Sequence, residues 1–296
     1  MSKKVVVARK AGFCPGVERA FQKALQALEE KQEPVFLFGE LVHNRQVMEF
    51  LIDKGARVVN NLLDVPPGVT VVTRSHGIKK EDFEVLKSKG AKIVDTTCPR
   101  VRKARFLAQR MQRENEGLIV LGDYKHPEVE ALLSYINSEV VVCSKNPEEW
   151  ENVTGWLEKR RFVGLVEQTT LPRSVVDTFR AWFRKRFPDV KLQVAYTLCP
   201  ETEERQQELL DVIRTKKIDA VIVVGGKNSA NTRALFLLAR QEGVRVFWVE
   251  TAEELSSLPQ LEGEILLVSG ASTPRTIVEE VERSLQTEAG EQNGRI

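Results

Sequence analysis

The chain has 296 residues, with 44 Lys and Arg against 42 Asp and Glu, for a formal net charge of +2. That length allows two or three domains with real cores, and near-balanced charge of both signs argues against a nucleic-acid or membrane-surface protein. The longest apolar runs, such as 69–72 and 220–224, fall far short of a bilayer span. The apolar stretch after Met1 is too short for a signal peptide, so a globular, cytoplasmic protein is expected.

Short β-branched runs alternate with amphipathic stretches. The pattern predicts, in order, strand 5–8, helix 17–28, strand 35–38, helix 46–54, strands 69–73 and 92–94, helix 100–113, and strands 118–121, 140–142 and 162–166. Helix 173–186, strand 192–195, helix 202–215, strand 220–224, helix 231–242, strands 244–248 and 265–268, and helix 274–284 complete it. Continuous apolar strands between amphipathic helices indicate an α/β protein whose sheets are covered on both faces.

The chain also repeats itself. Three times a strand leads to Cys, Pro follows and a helix begins: Cys14-Pro15, Cys98-Pro99 and Cys199-Pro200. Each copy then has a strand ending at glycine (Gly39, Gly122, Gly225) with polar residues beyond: His43-Asn44, His126-Pro127-Glu128, and Asn228-Ser229-Ala230-Asn231. A later strand ends again in small polar groups, at Ser75-His76-Gly77, Gln168-Thr169-Thr170 and Ser269 to Thr273. Three similar α/β units are therefore expected: 1–98 with Cys14, His43 and His76; 99–198, opened by Cys98, with His126, Glu128 and Thr169; and 199–285 with Cys199, Ser229, Asn231 and Ser272. Residues 286–296 read as a polar, fraying tail. Ligands bind beyond the carboxyl ends of such strands, and three sheets closing on one centre would make a pseudo-threefold trefoil.

Proline suits the first helical position, which puts each of the three thiols at a helix start where a thiolate is favoured. Three lone thiols could complete a Cys₃His zinc site, although no paired C-x₂₋₄-C spacing is present. An iron–sulfur cluster fits them better, since thiolates are its usual ligands, and with three of them one iron is left open for chemistry on a substrate. Cys143, with no Pro after it, reads as a small buried hydrophobe. His43, His76 and His126 all follow strands at the repeated polar positions. With Ser229, Asn231, Ser272, Thr273 and the backbone amides near Gly225-Gly226, they form a neutral donor set suited to a diphosphate. No nucleotide P-loop and no G-x-G-x-x-G occurs. Glu128 beside an anionic site would have a raised pKa and could donate a proton, with Thr169 relaying it or binding a hydroxyl.

Taken together, Gly12-Phe-Cys14-Pro-Gly-Val17, Val42-His43-Asn44, Ser75-His76-Gly77, Asp95-Thr-Thr-Cys98-Pro99, His126-Pro-Glu128, Gln168-Thr-Thr170, Cys199 with Arg205-Gln206, Val223 to Ser229 and Gly270-Ala-Ser272 resemble the LytB-type 4-hydroxy-3-methylbut-2-enyl diphosphate reductases of the non-mevalonate isoprenoid pathway. The resemblance implies a trefoil of three α/β units around one [4Fe–4S] cluster held by Cys14, Cys98 and Cys199, with one open iron. It implies removal of the allylic hydroxyl to give isopentenyl and dimethylallyl diphosphates. His43, His76, His126, Ser229, Ala230, Asn231 and Ser272 would bind the diphosphate; Glu128, Thr169 and His126 would be catalytic. Ala230 stands where the family often has Ser, leaving only its amide, and Pro200-Glu-Thr202 also departs from the family pattern. Electrons would come from ferredoxin or flavodoxin, with no nucleic acid or membrane as partner. A zinc-dependent hydrolase of a phosphorylated metabolite is the alternative, and a diphosphate-binding module without turnover is a third reading.

Overall fold

A computed structural model of the chain describes residues 3–30, 34–136 and 139–293. In chain order the elements are β1 (Lys4–Val7), α1 (Pro15–Glu29), β2 (Val35–Phe38), α2 (Arg45–Asp53), β3 (Arg57–Val59), β4 (Thr70–Val72), α3 (Lys80–Ser88), β5 (Lys92–Val94) and α4 (Pro99–Glu114). Then come β6 (Gly117–Leu121), α5 (Pro127–Leu133), β7 (Val140–Cys143), α6 (Thr154–Leu157), β8 (Phe162–Glu167), α7 (Arg173–Arg186) and β9 (Lys191–Val194). The last are α8 (Pro200–Thr215), β10 (Ala220–Val224), α9 (Ala230–Gln241), β11 (Arg245–Val249), β12 (Glu264–Ser269) and α10 (Arg275–Asn293).

The strands form three four-stranded sheets, ordered β3-β2-β4-β5, β7-β6-β8-β9 and β11-β10-β12-β1. Every pairing is parallel. The order is the same in all three, as the sequence repeat anticipates. Central strands are buried from end to end, as in β6 and β10, because helices cover both faces of a parallel sheet and leave no polar side. Two of the helices that follow Cys-Pro turn alanines inward: Ala20, Ala24 and Ala27 on α1, and Ala104 and Ala108, with Met111, on α4. Apolar side chains at that spacing lie on one stripe.

One expectation is corrected by the pairing. Strand β1 does not join the sheet of residues 35–94; it pairs with β12, Lys4 opposite Glu264 through Val7 opposite Leu267. The third sheet thus takes its edge strand from the start of the chain, and the first unit does not include residues 4–7. By contacts the chain divides into two compact units, Met1–Glu18 with Val42–Phe50 and Pro200–Ile296, and Arg19–Leu41 with Leu51–Cys199. The first holds the β10-containing sheet, the second holds the other two. Within the expected tail, α10 continues to Asn293; residues 294–296 lie outside the described residues. The elements β3, α3, α5 and α6, not predicted above, are short, and β3 is an exposed edge.

Candidate functional site

Each of the three cysteines is held by the same backbone wiring. The amide of Cys14 donates to Ala271 O (3.0 Å), that of Cys98 to Ser75 O (2.9 Å) and that of Cys199 to Thr169 O (2.8 Å). All three acceptors lie just past the third strand of a repeat. Two residues before each cysteine the pattern recurs. Gly12 N donates to Ser269 Oγ (2.8 Å), Thr96 N to Thr73 Oγ1 (3.2 Å) and Thr197 N to Glu167 Oε2 (2.9 Å). The thiols are half-buried and none is in a disulfide. Cys98 is the N-cap residue of α4, with Pro99 at its first position.

Cys143 has a different place. Gly122 N bonds Cys143 O (2.9 Å) as Gly39 N bonds Val59 O and Gly225 N bonds Val249 O. Its repeat counterparts are therefore valines at the end of a strand. Burial pushes its thiol up to about 12, which suits a core side chain and opposes a thiolate ligand.

In the unit built on β2–β9, six expected residues join into one chain of contacts. Cys98 bonds Ser75, next to His76. The His76 ring meets the His126 ring edge-on, with centroids 5.4 Å apart. His126 caps α5: its Nδ1 accepts from Glu128 N at 3.2 Å. An accepting Nδ1 leaves the proton of a neutral imidazole on Nε2, a donor fit for an anion. Glu128, only 1 % exposed, accepts from Thr169 N at 2.7 Å and from Thr169 Oγ1 at 2.8 Å. Thr169 O in turn holds the Cys199 amide. Burial raises the Glu128 carboxyl to about 7, desolvation outweighing the opposing pull of the two Thr169 hydrogen bonds.

In the other unit the remaining residues form a second chain. Cys14 bonds Ala271, and the next residue, Ser272, donates its Oγ to His43 O at 3.1 Å. Gly226 packs so close to that carbonyl that an added Cβ would lie 2.6 Å from it. Gly225 has a φ of 142°, open to glycine alone, and a Cβ there would meet Thr273 Oγ1 at 2.5 Å. This tight turn delivers Ser229, the N-cap of α9, whose Oγ accepts from Thr232 N. Ala230 is the first residue of that helix, where backbone N–H groups lack intrahelical partners. Asn231 is 5 % exposed, and neither its Oδ1 nor its Nδ2 has a hydrogen-bond partner among the described residues. Such a buried amide costs stability unless a ligand satisfies it.

Some residues that position the site were given no role by the sequence, Arg205 among them although it stands in one of the quoted motifs. Arg205, 4 % exposed, donates to Gly12 O (2.9 Å) and Ser269 O (3.2 Å) and so ties the Cys14 loop to β12. Glu167 and Arg180 form a buried pair at 2.5 Å, and Glu167 Oε2 accepts from Thr197 N at 2.9 Å, two residues before Cys199. Thr96 and Thr197, each two residues before a repeated Cys, were the available signal. Nothing local marks Arg180 or Glu167.

The profile of a family described as LytB protein matches residues 5–286. A 4-hydroxy-3-methylbut-2-enyl diphosphate reductase from Solidesulfovibrio magneticus is 38% identical over 290 residues, covering 96% of this chain and 99% of the relative. The solved E-1-hydroxy-2-methyl-but-2-enyl-4-diphosphate reductase of Plasmodium falciparum aligns with a TM-score of 0.87 at 27% identity, covering 96% of this chain and 88% of that one. A second solved structure, of (E)-4-hydroxy-3-methyl-but-2-enyl diphosphate reductase, described as the terminal enzyme of the non-mevalonate pathway, aligns at 0.72 with 33% identity, covering 97% and 100%. These relatives are reductases and lend no support to the zinc-dependent hydrolase alternative.

Proposed function

We infer the activity of this chain from the LytB protein family, to which it belongs: it reduces 4-hydroxy-3-methylbut-2-enyl diphosphate to isopentenyl and dimethylallyl diphosphates, the last step of the non-mevalonate pathway. The allylic C–O bond breaks and a C–H bond forms; two electrons and two protons enter, and the oxygen leaves as water. The observation that carries the reading is the identical wiring of Cys14, Cys98 and Cys199.

Three half-buried thiols, each just before a helix that begins with proline, fit a [4Fe–4S] cluster with one iron left open. Cys143, inside a core, stands outside this set. When bound, the cluster supplies reducing electrons and a Lewis acid for the substrate hydroxyl. The chain's own residues do the rest. His43, His76, His126, Ser229, the Ala230 amide, Asn231 and Ser272 bind the diphosphate, and the unpartnered amide of Asn231 supports that role. Glu128, near 7, keeps a proton in about half of the molecules at neutral pH and can give it to a hydroxyl departing as water. Thr169 Oγ1, donating to Glu128 Oε2, keeps its lone pairs for the substrate hydroxyl.

The chain carries no nicotinamide or flavin motif, so the electrons come from a separate one-electron carrier such as ferredoxin or flavodoxin. Among the described residues no helix is long and apolar enough to cross a membrane, which fits action on a water-soluble diphosphate in the cytoplasm. The test is anaerobic turnover of the substrate with reduced methyl viologen. Both products and a brown protein that bleaches on Cys98→Ser are expected; a colourless protein after anaerobic reconstitution, or neither product, overturns the reading.

A further inference from the structure

The three helices that start at Cys-Pro are repeat equivalents, yet their charges differ sharply. On α1, Glu18 and Glu29 balance Arg19 and Lys23. Helix α8 carries five acidic residues against Arg205 and Arg214. Helix α4 carries Arg100, Arg102, Lys103, Arg105, Arg110 and Arg113 against Glu114 alone. Fold and repeat do not require this, since the buried stripe of α4 is Ala104, Ala108 and Met111. Its exposed residues include Arg100, Lys103, Phe106, Arg110 and Arg113, at spacings that share one side of a helix. Phe106 is 61 % exposed in the middle of that basic stripe. Two further cations reach the start of the helix from α1: Arg19 Nη1 donates to Thr97 O at 3.4 Å and Lys23 Nζ to Asp95 O at 3.0 Å.

Resting on the function inferred above, we propose that the exposed face of α4 from Arg100 to Arg113 is the surface on which a small acidic one-electron carrier protein docks. The helix begins at Cys98, and Phe106 lies about 12 Å beyond it at 1.5 Å per residue, so a carrier seated there is close to a cluster thiol. Electron-transfer encounters use small interfaces, and opposite charge speeds their formation. An exposed ring encircled by cations supplies the short-range apolar contact. The stripe is limited to one helix of about 24 Å, with neutral or acidic counterparts, which suits a compact acidic protein better than an extended phosphate backbone.

The experiment compares wild type with Arg100→Glu/Lys103→Glu, using reduced ferredoxin and, separately, reduced methyl viologen. Both substitutions are exposed and lie in the first turns, where acidic residues suit the helix dipole, so folding is preserved. Ferredoxin KM should rise about tenfold at low ionic strength, the difference shrinking above ~0.15 M salt as charges are screened. Viologen turnover should be unchanged, because a cationic donor is not slowed by added negative charge. Phe106→Ala should raise ferredoxin KM a few-fold with little salt dependence. An unchanged ferredoxin KM in the double variant, or wild-type ferredoxin turnover that does not fall with salt, overturns the proposal, as does tight salt-dependent binding of duplex DNA by the stripe with no effect on ferredoxin. Failure of wild type with viologen would instead sink the reductase reading itself.

Discussion

Glu128 and Glu167 are both buried at the carboxyl end of the β7-β6-β8-β9 sheet, yet their surroundings assign them opposite tasks. Glu167 faces the Arg180 guanidinium at 2.5 Å and the Thr197 amide at 2.9 Å, so its charge is matched and spent on holding the segment that leads to Cys199. Glu128 instead accepts from the amide and hydroxyl of Thr169, with no ion pair to it among the described residues. Without a cation, burial raises its carboxyl to about 7, and the group remains able to take up and release a proton. The difference between the two is one guanidinium. A buried carboxylate with a fixed cation is structural, and one without is chemically available.

The largest test of this contrast is Glu128→Gln, which keeps shape and burial but carries no transferable proton. Turnover with viologen should fall by about 10²–10⁴-fold, as loss of a general acid does, while the brown colour remains. Near-normal turnover would remove Glu128 from the chemistry. For the partner carboxylate, Arg180→Ala leaves Glu167 buried and unpaired and should cost about 3–5 kcal/mol in urea unfolding, with an unchanged m value. A loss no larger than that of an exposed pair would show that Glu167 is not held as described.

The pH dependence of stability sharpens the comparison. Glu128 is near 4.5 unfolded and about 7 folded, so between those values the folded protein binds the extra proton and stability falls as pH rises. The contribution is complete below pH 4.5 and lost above 7, amounting to ~3 kcal/mol. Glu128→Gln should lack it, so the variant should gain on wild type from pH 4.5 to 8; parallel curves would contradict the assignment. The smallest effect belongs to Arg214→Ala. Its bond to Glu242 is two-pronged, at 2.7 and 2.9 Å, but exposed, and exposed pairs contribute little; its unfolding midpoint should not move measurably.

What the sequence determined by itself is local and repeated. A strand leading to Cys-Pro and a helix recurs at residues 14, 98 and 199, and the polar ends at His43, His126 and Ser229 recur with it. Proline at the first helical position and buried β-branched strands need only near neighbours, so the parallel α/β class was legible, and with it the position of three thiols just before helices; the roles of those thiols, Glu128 and Thr169 belong to the proposed function. The exclusion of Cys143 also followed from its local context. What only the tertiary structure decided involves residues far apart in the chain. Strand β1 closes the third sheet against β12 across 260 positions, because a parallel sheet can recruit an edge from anywhere. The clamp of Arg205 on Gly12, the pairing of Arg180 with Glu167, and the unpartnered amide of Asn231 likewise arise from burial and partner geometry. Desolvation and hydrogen-bond satisfaction are properties of a packed interior, and no spacing along the chain encodes them.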